Sequence, residues 1–259
     1  MAERKKLVVA KFGGTSLETE ENRERAVDHC GKLLEETDRL VVVVSAMGRR
    51  GDPYATDTLL GLLPGESTSL EKDRLMACGE VISAIIMAAA LRDAGIPAEA
   101  LTGWEAGIST DGVSGDARIV SVDTARIDDC LEENRAVVIA GFQGQAPMGH
   151  LNTLGRGGTD TTAVVLGVAL KAEEVMLFKT VDSVFTADPD KVPSAKRIKR
   201  ISAEDLRQMA WQGAKVVHPR AAEAALSAGL TLRVRSFATG EVVTDVLPEP
   251  WRTPDTLSE

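Results

Sequence analysis

Aromatic residues are scarce: five Phe, three Trp and one Tyr make up 3% of the chain. That is too few rings for a stacking platform on which single-stranded bases would lie. Positive charge is also short, with 30 Lys and Arg against 39 Asp and Glu, a net −9. Such a balance disfavours a protein that binds mainly phosphate backbone, though a local basic site can still hold an anion. The three cysteines, Cys30, Cys78 and Cys130, are odd in number and show no CxxC spacing. Neither a disulfide framework nor a thiolate zinc site is supported. The three histidines, His29, His150 and His218, are too dispersed for a metal cluster. His29 reads as lying on an exposed helix, His150 in a polar loop and His218 before a proline.

Long hydrophobic runs are nearly absent. Leu7–Ala10 is too short for the apolar core of a signal peptide. Leu75–Leu91 is interrupted by Glu80 and marginal in length for a bilayer, so it reads as a buried core helix that takes Cys78 with it. A cytoplasmic protein that binds neither membrane nor nucleic acid is expected. The apolar share of 44% and charged share of 27% are those of a globular chain, and 259 residues can bury a full core without staples.

The pattern along the chain alternates strands and helices. Leu7–Ala10, Leu40–Ser45, Ala136–Ala140 and Val175–Phe178 are β-branched or apolar runs without polar alternation, as expected of strands buried on both faces. Glu21–Glu36, Asp73–Leu91, Thr159–Leu170, Ala203–Trp211 and Pro219–Ala228 read as helices, and Leu230–Val234 as a last strand. The alternation predicts an α/β fold, an αβα sandwich around a mostly parallel sheet. Trp104 and Trp211 read as packing residues, and the basic run Lys196–Arg200 as a solvated face that could border a phosphate. From Val246 to Glu259 the chain is polar with three prolines, and a loosely attached tail is expected.

Two glycine-rich segments follow strands. Lys11-Phe12-Gly13-Gly14-Thr15-Ser16 places a lysine beside paired glycines, whose backbone can turn sharply and aim N–H groups at an anion. Gly155-Arg156-Gly157-Gly158-Thr159-Asp160 opens a helix, whose N-terminus favours phosphate. Neither fits GxxxxGK[ST] or GxGxxG, so P-loop and Rossmann sites are disfavoured. Each alone is equally well a tight βα turn; two of them, each with a charged neighbour, favour phosphate chemistry.

These segments, with VVVVSAMG at Val41–Gly48, GFQG at Gly141–Gly144, TADP at Thr186–Pro189 and GAKVVHPRA at Gly213–Ala221, resemble the aspartate kinases in content and order. The resemblance runs from about Lys6 to Ser236 and implies the amino-acid kinase (carbamate kinase-like) fold. It implies transfer of the γ-phosphoryl group of ATP to the β-carboxylate of L-aspartate with Mg2+, the entry step to lysine, threonine and methionine. It further implies that Lys11 is catalytic and that Asp160 organises it; Asp160 is also well placed as a helix N-terminal carboxylate. Gly13, Gly14, Thr15, Ser16, Gly157 and Gly158 would hold phosphate. Asp182, Thr186, Asp188, Pro189 and Lys215 would hold the nucleotide.

The same resemblance assigns Ser45, Glu80, Phe142, Arg156 and Thr159 to the amino-acid substrate. Arg156 offers a fork for a carboxylate, and Glu80 an anion for an ammonium. Glu80 is otherwise an internal salt bridge with an arginine, and Ser45 a strand-end cap. The chain departs from the family's pattern at Thr180, Ser183 and Asp190, where aspartate, glycine and arginine are usual, all on the nucleotide side. No metal ligand from the protein is implied. A homodimer or higher homo-oligomer is implied, and a separate regulatory chain is left open. Two rivals remain: the same fold acting on another amino acid or small carboxylate, and a nucleotide-binding homologue without turnover. By residue count the expectation is one catalytic domain over 1–245, a tail over 246–259 and no ACT regulatory domain.

Overall fold

The computed structural model describes residues 6–180, 184–185, 192, 194–212 and 217–248. In chain order the elements are β1 (Leu7–Phe12), α1 (Glu20–Glu36), β2 (Arg39–Val44), α2 (Thr56–Leu60), α3 (Ser69–Asp93), β3 (Ala98–Leu101), β4 (Ile108–Thr110) and β5 (Ile119–Val122). There follow α4 (Ala125–Glu133), β6 (Ala136–Ala140), β7 (Gln143–Gln145), β8 (Leu151–Thr153), α5 (Gly158–Ala169) and β9 (Val175–Lys179). The remainder is β10 (Val184–Phe185), β11 (Arg197–Ile198), β12 (Arg200–Ser202), α6 (Ala203–Trp211), α7 (Pro219–Ala228), β13 (Leu232–Ser236) and β14 (Val242–Leu247).

An eight-stranded sheet in the order β12-β14-β13-β9-β1-β2-β6-β3 forms the centre. Its middle strands are parallel, with Phe12 opposite Val44 on one side and Phe178 on the other. Because successive side chains alternate across a strand, the β-branched runs feed two cores. Val9, Val43, Ile139 and Leu177 pack with Ala163, Leu166 and Ala221 of α5 and α7. Val8, Phe12, Val42 and Phe178 pack on the other face with Leu33 and Met87 of α1 and α3. Burying each such side chain stabilises the fold by about 1.5–3 kcal/mol, which explains why these strands carry no polar alternation. A smaller sheet, β5-β4-β7-β8, stands beside the main one.

Local capping agrees with the packing. Thr19 accepts a hydrogen bond from Asn22 N at the start of α1, and Thr68 and Glu71 form a reciprocal capping box at the start of α3. By length and composition alone α3 could cross a membrane. Yet it buries Asp73, Glu80, Met87 and Leu91 inside the protein. Asp73, fully buried, accepts hydrogen bonds from Gly115 N, Asn152 Nδ2 and Thr153 Oγ1, and so ties α3 to β8 and to the loop beyond β4.

Several expectations are corrected here. The strand at Leu232–Ser236 is followed by β14, in which Val246 is fully buried and pairs with Leu232 and Ile201. The loose tail therefore cannot begin at Val246; ladder bonds on both sides hold the chain as far as Leu247. Cys78 is exposed, because α3 is apolar around most of its circumference and sequence alone does not set which face is inward. His29 is buried against Phe178 and Phe237, with Nε2 2.8 Å from Phe237 O; both partners come from distant parts of the chain. Trp104 and Trp211 are exposed on the surface instead of packing within it.

Candidate active site

From β1 the chain builds outward through β2 and β6, then returns to lay β9 on the opposite side of β1. Such a reversal leaves a crevice beyond the carboxyl ends of the two strands, the usual ligand position in an open α/β sheet. Lys11 lies one residue from the end of β1, and Lys179 ends β9. Lys11 pairs with Leu177, so Lys179, two residues further on, emerges on the same face as Lys11.

After β1 the chain makes a short turn at Gly14–Ser16. A side chain on Gly14 would meet Ala46 O at 2.5 Å, and Gly48 N donates to Gly14 O at 2.9 Å. Only glycine permits this approach between the loops after β1 and β2. Ser16 is buried and its N–H already bonds Gly13 O at 3.0 Å, so it lies beneath the turn and not on its open side.

Asp160 stands in the first turn of α5. Its carboxylate receives both lysines: Lys11 Nζ is 2.8 Å from Oδ1, and Lys179 Nζ donates to Oδ2 at 2.7 Å. Burial alone would raise the Asp160 pKa, but the two ammonium groups hold it well below the usual carboxylate range. Burial pushes Lys179 down to about 8, helped by repulsion from Lys11 and opposed by Asp160. The trio is thus an ionised carboxylate under two cations, with one positive charge uncancelled.

Beside it opens a cavity of about 430 Å³, lined by Gly14, Ser45, Glu80, Phe142, Arg156 and Thr159 among others. Glu80 is 3% exposed. Its Oε1 accepts a hydrogen bond from Ala46 N at 3.1 Å, while Oε2 has no partner among the described residues. Desolvation pushes its pKa up to about 8 against the pull of that hydrogen bond. Among the described residues no arginine forms an ion pair with it, so no internal salt bridge there explains its burial. Ser45 Oγ donates to Thr159 Oγ1 at 2.9 Å, joining the end of β2 to the start of α5. Phe142 holds a positive φ of 68°, and its N–H donates to Thr162 Oγ1 at 3.1 Å. Arg156 is exposed at the rim.

Gly157 precedes α5 with φ 68°. A β-carbon there would fall 2.2 Å from the ring of His218, so both its conformation and its neighbour require glycine. A smaller hollow of about 270 Å³ lies at the opposite end of the sheet, around Arg39 and Arg135, far from these groups.

Much of the sequence-based set gathers at one place: Lys11 and Asp160 in the crevice, with Ser45, Glu80, Phe142, Arg156, Thr159, Gly14, Gly157 and Gly158 around the cavity, while Ser16 lies beneath the turn. Asp182, Thr186, Asp188, Pro189 and Lys215 lie outside the described residues. Lys179 stands outside the sequence-based set. The signal in the sequence is a lysine closing an otherwise apolar strand; its register with Lys11 comes from the pairing of β9 with β1. Among the described residues no group of three His, Cys, Asp or Glu is placed to hold a metal ion. The described residues therefore form no cage for magnesium.

The chain matches the amino acid kinase family over residues 6–236. It is 45% identical to aspartokinase 1 of Bacillus subtilis over 89% of its own length and 58% of that protein's. It thus spans somewhat over half of the curated relatives it matches. Among solved structures, aspartate kinase from Synechocystis superposes with a TM-score of 0.80 at 36% identity, covering 95% of this chain and 40% of that one. E. coli aspartokinase III, in complex with aspartate and ADP, superposes with a TM-score of 0.81 at 24% identity, covering 95% of this chain and 66% of that one, a likeness of fold. A mostly parallel α/β sheet with its charged cluster at the strand reversal, matched by the family over nearly its whole length, makes this chain a member of the amino acid kinase family.

Proposed function

We propose that the chain transfers the γ-phosphoryl group of ATP to the β-carboxylate of L-aspartate, giving 4-phospho-L-aspartate and ADP. The observation that carries this reading is Asp160 locked between Lys11 and Lys179. A carboxylate held that far below its usual pKa is a poor proton acceptor. An alcohol acceptor needs a base to take its proton; a carboxylate acceptor is already ionised at neutral pH. One carboxylate oxygen attacks phosphorus, the bond from phosphorus to the bridging oxygen breaks, and ADP leaves with the electron pair. No proton moves. What the step needs is cationic charge along the transferring group, and the lysines supply it.

The cavity supports an amino acid as acceptor. Glu80 offers a buried, half-satisfied carboxylate to an α-ammonium, and Arg156 a fork to an α-carboxylate. The names of the relatives, aspartokinases at 45% and 36% identity, support aspartate in particular. In this reading Gly13, Gly14, Gly157 and Gly158 line the phosphate path, and Mg2+ arrives on the nucleotide phosphates. Asp182, Thr186, Asp188, Pro189 and Lys215 serve the nucleotide, the enzyme is cytoplasmic, and it works as a homo-oligomer. The test is an acceptor panel with ATP, Mg2+ and hydroxylamine. Aspartate should yield hydroxamate well ahead of glutamate and succinate; a stronger signal from another acid would reassign the substrate.

A further inference from the structure

The shared carboxylate raises a question of charge. Among the described residues, one anion facing two ammonium groups in a largely buried crevice leaves a positive charge uncancelled, and uncompensated buried charge is costly. A lysine pair built for stability would have two carboxylates or none. Around Lys179 the charged groups facing it among the described residues are Lys11 from β1 and Asp160 from α5, with the His218 imidazole nearby at the start of α7. Neither Lys11 nor His218 supplies a further negative charge. Lys179 is also not sealed away: its side chain keeps 17% of its surface, against 8% for Lys11 and Asp160.

We propose that Lys179 is a second cation of the phosphoryl-transfer site, sharing Asp160 with Lys11 so that the pair presents one surplus positive charge to the transferring group. This rests on the phosphoryl-transfer reading above. Lys179 acts by positioning and by charge. It occupies one oxygen of Asp160, which leaves Lys11 the other, and its ammonium keeps the crevice net positive until an anion enters. Burial and Lys11 pull the Lys179 pKa down to about 8, and an anion beside it would favour its charged form.

The experiment compares wild type with Lys179→Met and Lys179→Arg, following kcat and the pH dependence of kcat/KM for ATP at saturating amino acid. Loss of one preorganised charge should lower kcat by about 10²–10³-fold in Lys179→Met. Lys179→Arg should recover a good part of it. In wild type kcat/KM for ATP should fall as pH rises through about 8. In Lys179→Arg, whose guanidinium stays charged, that alkaline limb should vanish. An active wild type with Lys179→Met within threefold of it, or an alkaline limb unchanged in Lys179→Arg, overturns the proposal and leaves the function intact. If wild type turns over no acceptor, the functional reading fails by itself, and ATP calorimetry decides on Lys179. Affinity at least tenfold weaker in Lys179→Met supports its anion-facing role, and equal affinity refutes it. Should Lys179→Met fail to fold, the Lys179→Arg pH profile carries the test.

Discussion

Glu80 gives the sharpest handle on how this protein binds an amino acid. Its carboxyl is buried on α3, makes one hydrogen bond through Oε1 and leaves Oε2 bare. With burial pushing its pKa up to about 8, it is mostly protonated at pH 7. An α-ammonium entering the cavity needs the ionised form, so binding must expel a proton. Two consequences follow. At saturating ATP, kcat/KM for aspartate should rise nearly tenfold per pH unit from 6 to 7.5 and level off above 8. Calorimetry in buffers of different ionisation heat should find protons released as aspartate binds at pH 7.

Stability carries the same signature with a defined sign. The folded-state pKa lies above the ordinary value of 4.5, so the folded protein holds this proton longer than the unfolded chain. Stability from this group is complete below pH 4.5 and is lost as pH climbs towards 8, by roughly 1.4 kcal/mol per unit, a few kcal/mol in all. Glu80→Gln cannot ionise. It should bind aspartate at least a hundredfold more weakly, show a flat acid limb, and lose less stability than wild type between pH 5 and 8. A KM for aspartate that is constant from pH 6 to 8, with no proton released, would refute this account of Glu80.

Other outcomes follow from the same geometry. Asp160→Asn leaves two cations without their anion and should lower kcat by about 10³-fold or more. Wild-type stability from this group is present above the unfolded value near 4 and lost as pH falls below it, so acid unfolding should be shallower in the variant, as read by circular dichroism. Arg156→Leu removes an exposed rim charge and should raise KM for aspartate by roughly 10–100-fold while leaving the melting temperature unchanged. Gly157→Ala should destabilise by roughly 1–3 kcal/mol, measured by denaturant unfolding, because φ 68° and the His218 ring both oppose a β-carbon.

Much of this architecture is legible in the amino-acid order. Runs such as Leu40–Val44 and Ala136–Ala140 admit only a strand buried on both faces, and the two glycine segments mark the loops that carry the charges. What escapes depends on distant partners or on missing phase. His29 looks solvated because its helix carries many charges, yet Phe237 comes from the far end of the chain to cover it. Cys78 looks buried because α3 is apolar nearly all round. Val246 and Leu247 look like the start of a tail until β12 and β13 flank the strand that ends with them. Lys179 escapes for a related reason: a polar residue after Val175–Phe178 reads as the end of a strand, and only the register with β1 shows that it shares a face with Lys11.

The central claim is that the acceptor is the β-carboxylate of aspartate. It is tested most directly by isotope transfer. The protein is incubated with ATP, Mg2+, hydroxylamine and L-aspartate labelled with oxygen-18 in its β-carboxylate, and the released phosphate is weighed by mass spectrometry. Hydroxylamine attacks the acyl carbon, so phosphate should leave with one labelled oxygen, in step with ADP and aspartyl hydroxamate. Unlabelled phosphate, or ADP formed without hydroxamate, would contradict the account.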